Sequence, residues 1–222
     1  MDLSSLGSND LNDAYDEGGP GVGRIITASD GPVEIQGGDG LMVSATGVGI
    51  STPLPNIPNG TSVMYYSPTK GAFRAGSAGN NRWDDASVGS YSWAGGSNSL
   101  ASGSYSFAFG NTAVASGLNA IAFGPNVNVF RPSAIGIGGN TQVGGTNAIS
   151  IGTNNRIDND NSFTIGTNNT ARSTRSVLIG DDNEGTASQN FAIGLRNFVR
   201  GFNAIAIGND NDLGGNQSIT LG

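Results

Sequence analysis

The side chains able to do chemistry in this chain are arginines, aromatic rings, acids and amides, because its 222 residues include no histidine and no cysteine. Without histidine the commonest general base and metal ligand is missing. Without cysteine there is no thiolate nucleophile, thiolate metal site or disulfide framework. One run stands out: Arg196-Asn197-Phe198-Val199-Arg200-Gly201-Phe202 alternates guanidinium groups with aromatic rings. Aromatic faces beside guanidinium forks suit sugar rings and acidic glycans. Arg196, Phe198, Arg200 and Phe202 are therefore the candidate receptor-binding residues, the plain alternative being a packed turn.

Two acidic turns, Asp181-Asp182-Asn183-Glu184 and Asn209-Asp210-Asn211-Asp212, carry oxygen ligands of the kind Ca²⁺ takes. They lack the glycine and the terminal glutamate of an EF-hand loop, so they read as solvated turns and no metal is expected. Gly19-Pro20-Gly21-Val22-Gly23-Arg24 is glycine-rich but neither follows a strand nor opens a helix, which removes a phosphate cradle. Serine has no histidine to activate it, and adjacent aspartates on a turn do not face each other across a cleft. The sequence predicts no catalytic residue, no cofactor and no enzyme activity, with a polysaccharide depolymerase as a remote alternative.

What must position these groups is a repeat. From residue 97 to 222 an apolar-small-apolar-glycine pattern returns every fourteen residues, as FAFG, IAFG, IGIG, ISIG, FTIG, VLIG, FAIG, IAIG and ITLG. Its glycines are Gly110, Gly124, Gly138, Gly152, Gly166, Gly180, Gly194, Gly208 and Gly222, with no insertion or deletion. A fixed period of this kind marks a stacked architecture. Two apolar positions two apart, such as Phe107 and Phe109, predict a strand with both side chains directed inward and the small residue between them facing out. A thinner second strand is expected at Ala101, Ala115, Val129, Val143, Ile157, Ala171, Val199 and Leu213, with Gly185 the exception. Fourteen residues hold two short strands and two tight turns. The fold class is therefore all-β: a parallel β-roll of nine coils, stacked about 4.8 Å apart into a rod of roughly 40 Å.

Amides and charges fall in register on this ladder. Asn155, Asn169, Asn183, Asn197 and Asn211 share one position and should stack as a structural ladder, a glycan-binding row being the alternative. Asp182, Arg196 and Asp210 lie on one line and Asp158 and Arg172 on another, which predicts ion pairs along the rod. Small residues between the strands favour close approach of a symmetric neighbour, hence a cyclic homo-oligomer.

Glycine supplies 37 residues and charged residues only 12% of the chain; only the period saves such a composition from reading as disorder. Of the net charge of −7, residues 1–96 hold ten acids against four bases and the repeat holds seven against six. Neither half offers a basic footprint for nucleic acid. Residues 1–20 read as a docking segment, with an unanchored tail as the alternative, and strands are expected at Arg24–Thr27, Val33–Ile35 and Leu41–Ile50. A linker over 51–60 leads to a hairpin at Val63–Tyr66 and Ala72–Arg74, all within a β-rich shaft of residues 21–75. Residues 76–96 form a transition in which Trp83 and Trp93 are expected to cap the first coil. The N-terminus has no basic start and no long apolar run, so it does not read as a secretory signal. No stretch is apolar for long enough to span a bilayer as a helix, and no membrane insertion is expected.

The blocks YSFAFGNTAVASG and NAIAFGPNVNVF resemble the YadA-like head repeats of trimeric autotransporter adhesins. The resemblance covers residues 97–222 and implies a left-handed β-roll, a homotrimer, and a head that binds host matrix or cell surfaces. Residues 11–35, LNDAYDEGGPGVGRIITASDGPVEI, resemble the N-terminal parts of phage tail-fibre proteins. No heptad stalk or anchor barrel accompanies the repeat. The expectation is thus a trimeric fibre or spike subunit of a virion, assembled in host cytoplasm. Its N-terminal region would dock on another virion protein, and its rod would meet a host glycan or protein. A bacterial cell-surface adhesin is the alternative.

Overall fold

The computed structural model describes residues 62–79 and 81–222. The expected docking segment, the strands before residue 51 and the linker lie outside them. The described chain opens with a hairpin, β1 (Ser62–Ser67) and β2 (Ala72–Ser77), paired antiparallel from Ser62↔Ser77 to Ser67↔Ala72. The turn Ser67-Pro68-Thr69-Lys70-Gly71 supplies the residue types a tight reversal needs. β2 also pairs, in parallel, with β3 (Trp93–Ser97), so the hairpin forms one end of a twelve-stranded sheet. Beyond β3 each coil adds one strand to this wide sheet and one two-residue strand to a narrow sheet of nine, which starts at β4 (Leu100–Ala101). The expected all-β parallel solenoid is what the described chain forms, with no α-helix among the described residues.

Register follows the fourteen-residue period without a slip: Phe107 pairs with Ile121 and Phe109 with Phe123, then Ile149 with Phe163 and Ile205 with Ile219. Each coil turns at residues in the left-handed region. One column runs from Asn98 to Asp210 in steps of fourteen, with φ between +49° and +58°. Asparagine and aspartate tolerate that conformation better than other non-glycine residues, which explains their density in the turns.

The direction of the side chains is the reverse of the sequence expectation. Ala108, Ala122, Ser150, Thr164, Leu178, Ala192 and Ala206, the residues between the two apolar positions, are fully buried in the coil. The large residues beside them face outward: Phe109 is 41% and Phe123 47% exposed. The cause is the thickness of the coil. Its two sheets approach so closely that a Cβ added at Gly136 would meet Val127 Cγ1 at 2.7 Å and Val129 Cγ2 at 2.9 Å. No phenylalanine fits in such a space, and close packing of small side chains fills it instead.

Volume is balanced across this thin core. Gly136 faces the bulk of Val127 and Val129, whereas Leu178, the largest residue at its position in the nine repeats, sits 3.4 Å from the position a Cβ would take at Gly185. The irregular Gly185 of the second strand is therefore the complement of Leu178, since a core filled to native density accepts a large side chain only where its neighbour is small.

Candidate interaction surfaces

Turning the small residues inward leaves two columns of large apolar side chains on the outer face of the wide sheet. One is Phe107, Ile121, Ile135, Ile149, Phe163, Val177, Phe191 and Ile205, all half-buried. The other includes Phe109, Phe123, Ile137, Ile151 and Ile207, all exposed. At the N-terminal end the face is aromatic: Trp93 meets Phe107 edge-on at 4.8 Å between centroids, and Phe109 stacks on Phe123 at 5.6 Å. A contiguous apolar strip running the length of a rod is far larger than single scattered exposures and marks a contact surface.

On the inner side of one turn, the asparagine ladder forms as the register predicts. Asn169 donates to Asn155 Oδ1 from its backbone N at 2.9 Å and from Nδ2 at 3.1 Å, and Nδ2 also donates to Gly180 O at 2.8 Å. Asn183 and Asn197 repeat the pattern, reaching Gly194 O and Gly208 O at 2.9 Å. These acceptors are carbonyls of the repeat glycines, whose φ near +125° places the carbonyl where the next amide column can bond it. In the first coils the same column holds Ala113 and Val127, and the interior there is apolar. Replacing Asn183 with leucine takes the side-chain donor from Gly194 O and the acceptor from the backbone N–H of Asn197, and leaves Asn169 Oδ1 with the backbone N–H of residue 183 alone. The expected loss is about 3 kcal/mol, read from chemical denaturation, because unpaired buried polar groups keep their full desolvation cost.

The run singled out by sequence is distributed over both turns of one coil. Arg196 lies in the turn before the strand Phe198–Val199, at φ +52°, and Phe202 in the turn after it, 46% exposed. Phe198 and Arg200 do come together, the guanidinium standing 5.0 Å from the ring centroid. Both arginines are engaged by carboxylates of the next coil: Arg196 by Asp210 at 2.6 Å and Arg200 by Asp212 at 2.6 Å. The fork of Arg196 bonds both oxygens of Asp210, and this hydrogen bonding holds the carboxyl below its ordinary range.

Residues 101–126 and 132–155 match the YadA head domain repeat in two copies. The coil stack is a YadA-like head β-roll. No curated protein matches the chain.

In this YadA-like head the second predicted charge line is rearranged. Asp158 and Arg172 do not pair; Arg156 holds Asp158 at 2.7 Å and Arg172 reaches forward to Glu184 at 2.7 Å. Glu184 and the ladder residue Asn183 thus commit the Asp181–Glu184 turn to internal contacts. Among the described residues no group of three acidic side chains is placed to hold a metal ion.

The N-terminal end of the head is closed by side chains. β4 has no preceding strand in the narrow sheet to bond its upstream edge. Trp83, fully buried, donates its indole Nε1 to Ser99 O at 2.9 Å. Arg74, also fully buried, donates Nη2 to Ala101 O at 3.0 Å and to Ser92 Oγ at 2.8 Å, and Nη1 to Ser92 O at 3.0 Å. Two side-chain donors, together with Gly89 N donating to Ala101 O at 3.1 Å, thereby stand in for a missing strand, as an exposed edge requires. Burial pulls the Arg74 pKa down to about 10, the nearby Tyr65 opposing, so the group stays charged at neutral pH. Trp93 occupies a different place: it stands 43% exposed on the outer face of the wide sheet. Sequence reasoning missed Arg74. Its signal was alternation, since Arg74 aligns with Ala94 and so with the inward column.

Proposed function

We propose that this chain is the subunit of a homotrimeric fibre or spike on a phage or phage-like particle, and that its rod attaches the particle to a host surface. The observation that carries the reading is the outer face of the wide sheet, an unbroken apolar strip that water does not favour and that parallel copies of a straight rod would cover. The YadA-like head repeat supports self-association of this kind. The particle, as opposed to a cell, is favoured by residues 11–35, which resemble phage tail-fibre N-terminal parts and would dock on another virion protein. Its work is mechanical and recognitive, and no catalytic step is assigned to it.

A second reading, a bacterial cell-surface adhesin, is favoured by the repeat match itself. Gold-labelled antibody against residues 97–222 separates the two under negative stain. Label at the ends of fibres on particles is the expected result; label spread over the surface of producing cells, with particles bare, moves the protein to the second reading.

A further inference from the structure

Both arginines of the Arg196–Phe202 run are held by Asp210 and Asp212, so a ligand anion would have to displace a carboxylate at either one. Among the described residues Arg131 and Arg175 are exposed arginines that pair with no carboxylate. Arg175 stands between Thr174 and Ser176, with Ser188 and Gln189 on the next coil, an all-polar setting. Arg131 is different. It sits between Phe130, 44% exposed, and the exposed Pro132, and Leu118 of the preceding coil, 47% exposed, occupies the same turn position as Pro132. The two turns are stacked directly, Ser133 N donating to Leu118 O at 2.8 Å. In the coils on either side the position of Arg131 is held by Gly117 and Gly145, so its column offers no neighbouring side chain to cover the guanidinium. The nearest acids along these turn columns are Asp158 and Asp160, two coils on, which is about 10 Å at the strand spacing.

We propose that this turn edge, formed by Leu118, Phe130, Arg131 and Pro132, binds the carboxylated sugar rings of an acidic glycan. The inference rests on the attachment role proposed above and names its ligand class and its place on the rod. An unpaired guanidinium fork takes a carboxylate in two parallel hydrogen bonds, and Phe130 with its apolar neighbours offers a face for the C–H side of a pyranose ring. A peptide partner has less to hold. The adjoining strand Asn128–Val129 is bonded on both edges, to Val114–Ala115 and to Gln142–Val143, so no strand can be added there. In an acidic chain of net charge −7 whose other repeat arginines, Arg175 apart, are paired, the site attracts an anion at one rung of the rod. Several copies on one fibre would engage a polymer together, adding avidity to a weak single contact.

The test uses the full chain, immobilised, against hyaluronate, alginate and polysialic acid, with dextran of matched size as the neutral probe. Wild type is expected to retain the acidic polymers and not dextran. Arg131→Gln and Phe130→Ser should each weaken that binding about tenfold with unchanged thermal melting, while Arg175→Gln, at the arginine in the all-polar setting, leaves it as it was. Failure of wild type to bind any of the three acidic polymers, binding that survives Arg131→Gln, or equal loss in Arg175→Gln overturns the proposal. So does displacement by polyglutamate that depends on Arg131 but not on Phe130, which would assign the site to acidic peptide. Host-cell attachment is scored in parallel. Attachment retained by Arg131→Gln overturns only the site, whereas wild type that does not attach at all overturns the attachment role beneath it.

Discussion

Alanine at Gly138 is expected to destabilise the rod by more than about 4 kcal/mol, while alanine at the adjacent Gly139 shifts stability by less than about 0.5 kcal/mol. The two positions are neighbours in one strand, and only one of them has a side-chain problem. Gly138 lies at φ +130°, a region closed to residues with a Cβ, and a Cβ there would stand 1.7 Å from Gly152 O of the next coil. Relief would require separating two coils whose strands pair through that level and which Thr141 ties by donating its hydroxyl to Gly152 O at 3.3 Å, so the clash cannot be absorbed locally. At Gly139 the nearest atoms to a Cβ are Pro125 Cγ at 3.8 Å and Thr153 Cγ2 at 3.9 Å, ordinary contacts. Thermal and denaturant unfolding followed by circular dichroism compares the pair. Equal effects at the two sites would sink the steric account of the repeat glycine.

The second large effect concerns the outer face. A double substitution, Ile137→Asp with Ile151→Asp, is expected to convert the oligomer to single chains of 22.4 kDa in light scattering coupled to size exclusion, with the β-sheet circular dichroism preserved. Both isoleucines are 37% exposed in the single chain, so charge there does not enter the core of the coil. In an assembled rod each would carry an unpaired carboxylate into a covered apolar strip, at a cost of several kcal/mol per chain. Ala122→Asp, one coil away but directed inward and fully buried, should instead abolish the folded rod itself. An oligomer that survives the double substitution would show that this strip is not where the copies meet, and the trimer proposal would lose its carrying observation.

Much of this architecture was present in the order of the residues, for identifiable reasons. A period held for nine blocks leaves a parallel stack only one register, and Phe107↔Ile121 is that register in space. The asparagines at 155, 169, 183, 197 and 211 are legible as a ladder because, in such a stack, equal positions must become neighbours. Turn chemistry is equally local, since residues such as Asn126 and Asn140 suit a left-handed φ wherever the coil bends.

Three things were decided by the tertiary structure alone. Alternation separates Phe107 and Phe109 from Ala108 but carries no sign; which set is buried depends on how closely two sheets approach, and that distance is set by the turns of the coil as a whole. The general rule that large apolar residues go inside gives the wrong sign here because the interior is too thin to hold them. Ion pairing was likewise decided by reach in three dimensions: Arg172 extends to Glu184 and leaves Asp158 to Arg156, although register alone had aligned Asp158 with Arg172. Finally, the arginines that look most like a recognition motif, Arg196 and Arg200, are neutralised by the coil that follows them, and Arg131, flanked by glycines in its column, is left open. The sequence by itself determined the coil, its register and its ladder, because these follow from spacing. Only the folded chain decided which face is covered and which charges are free, because these follow from distances between residues that spacing does not relate.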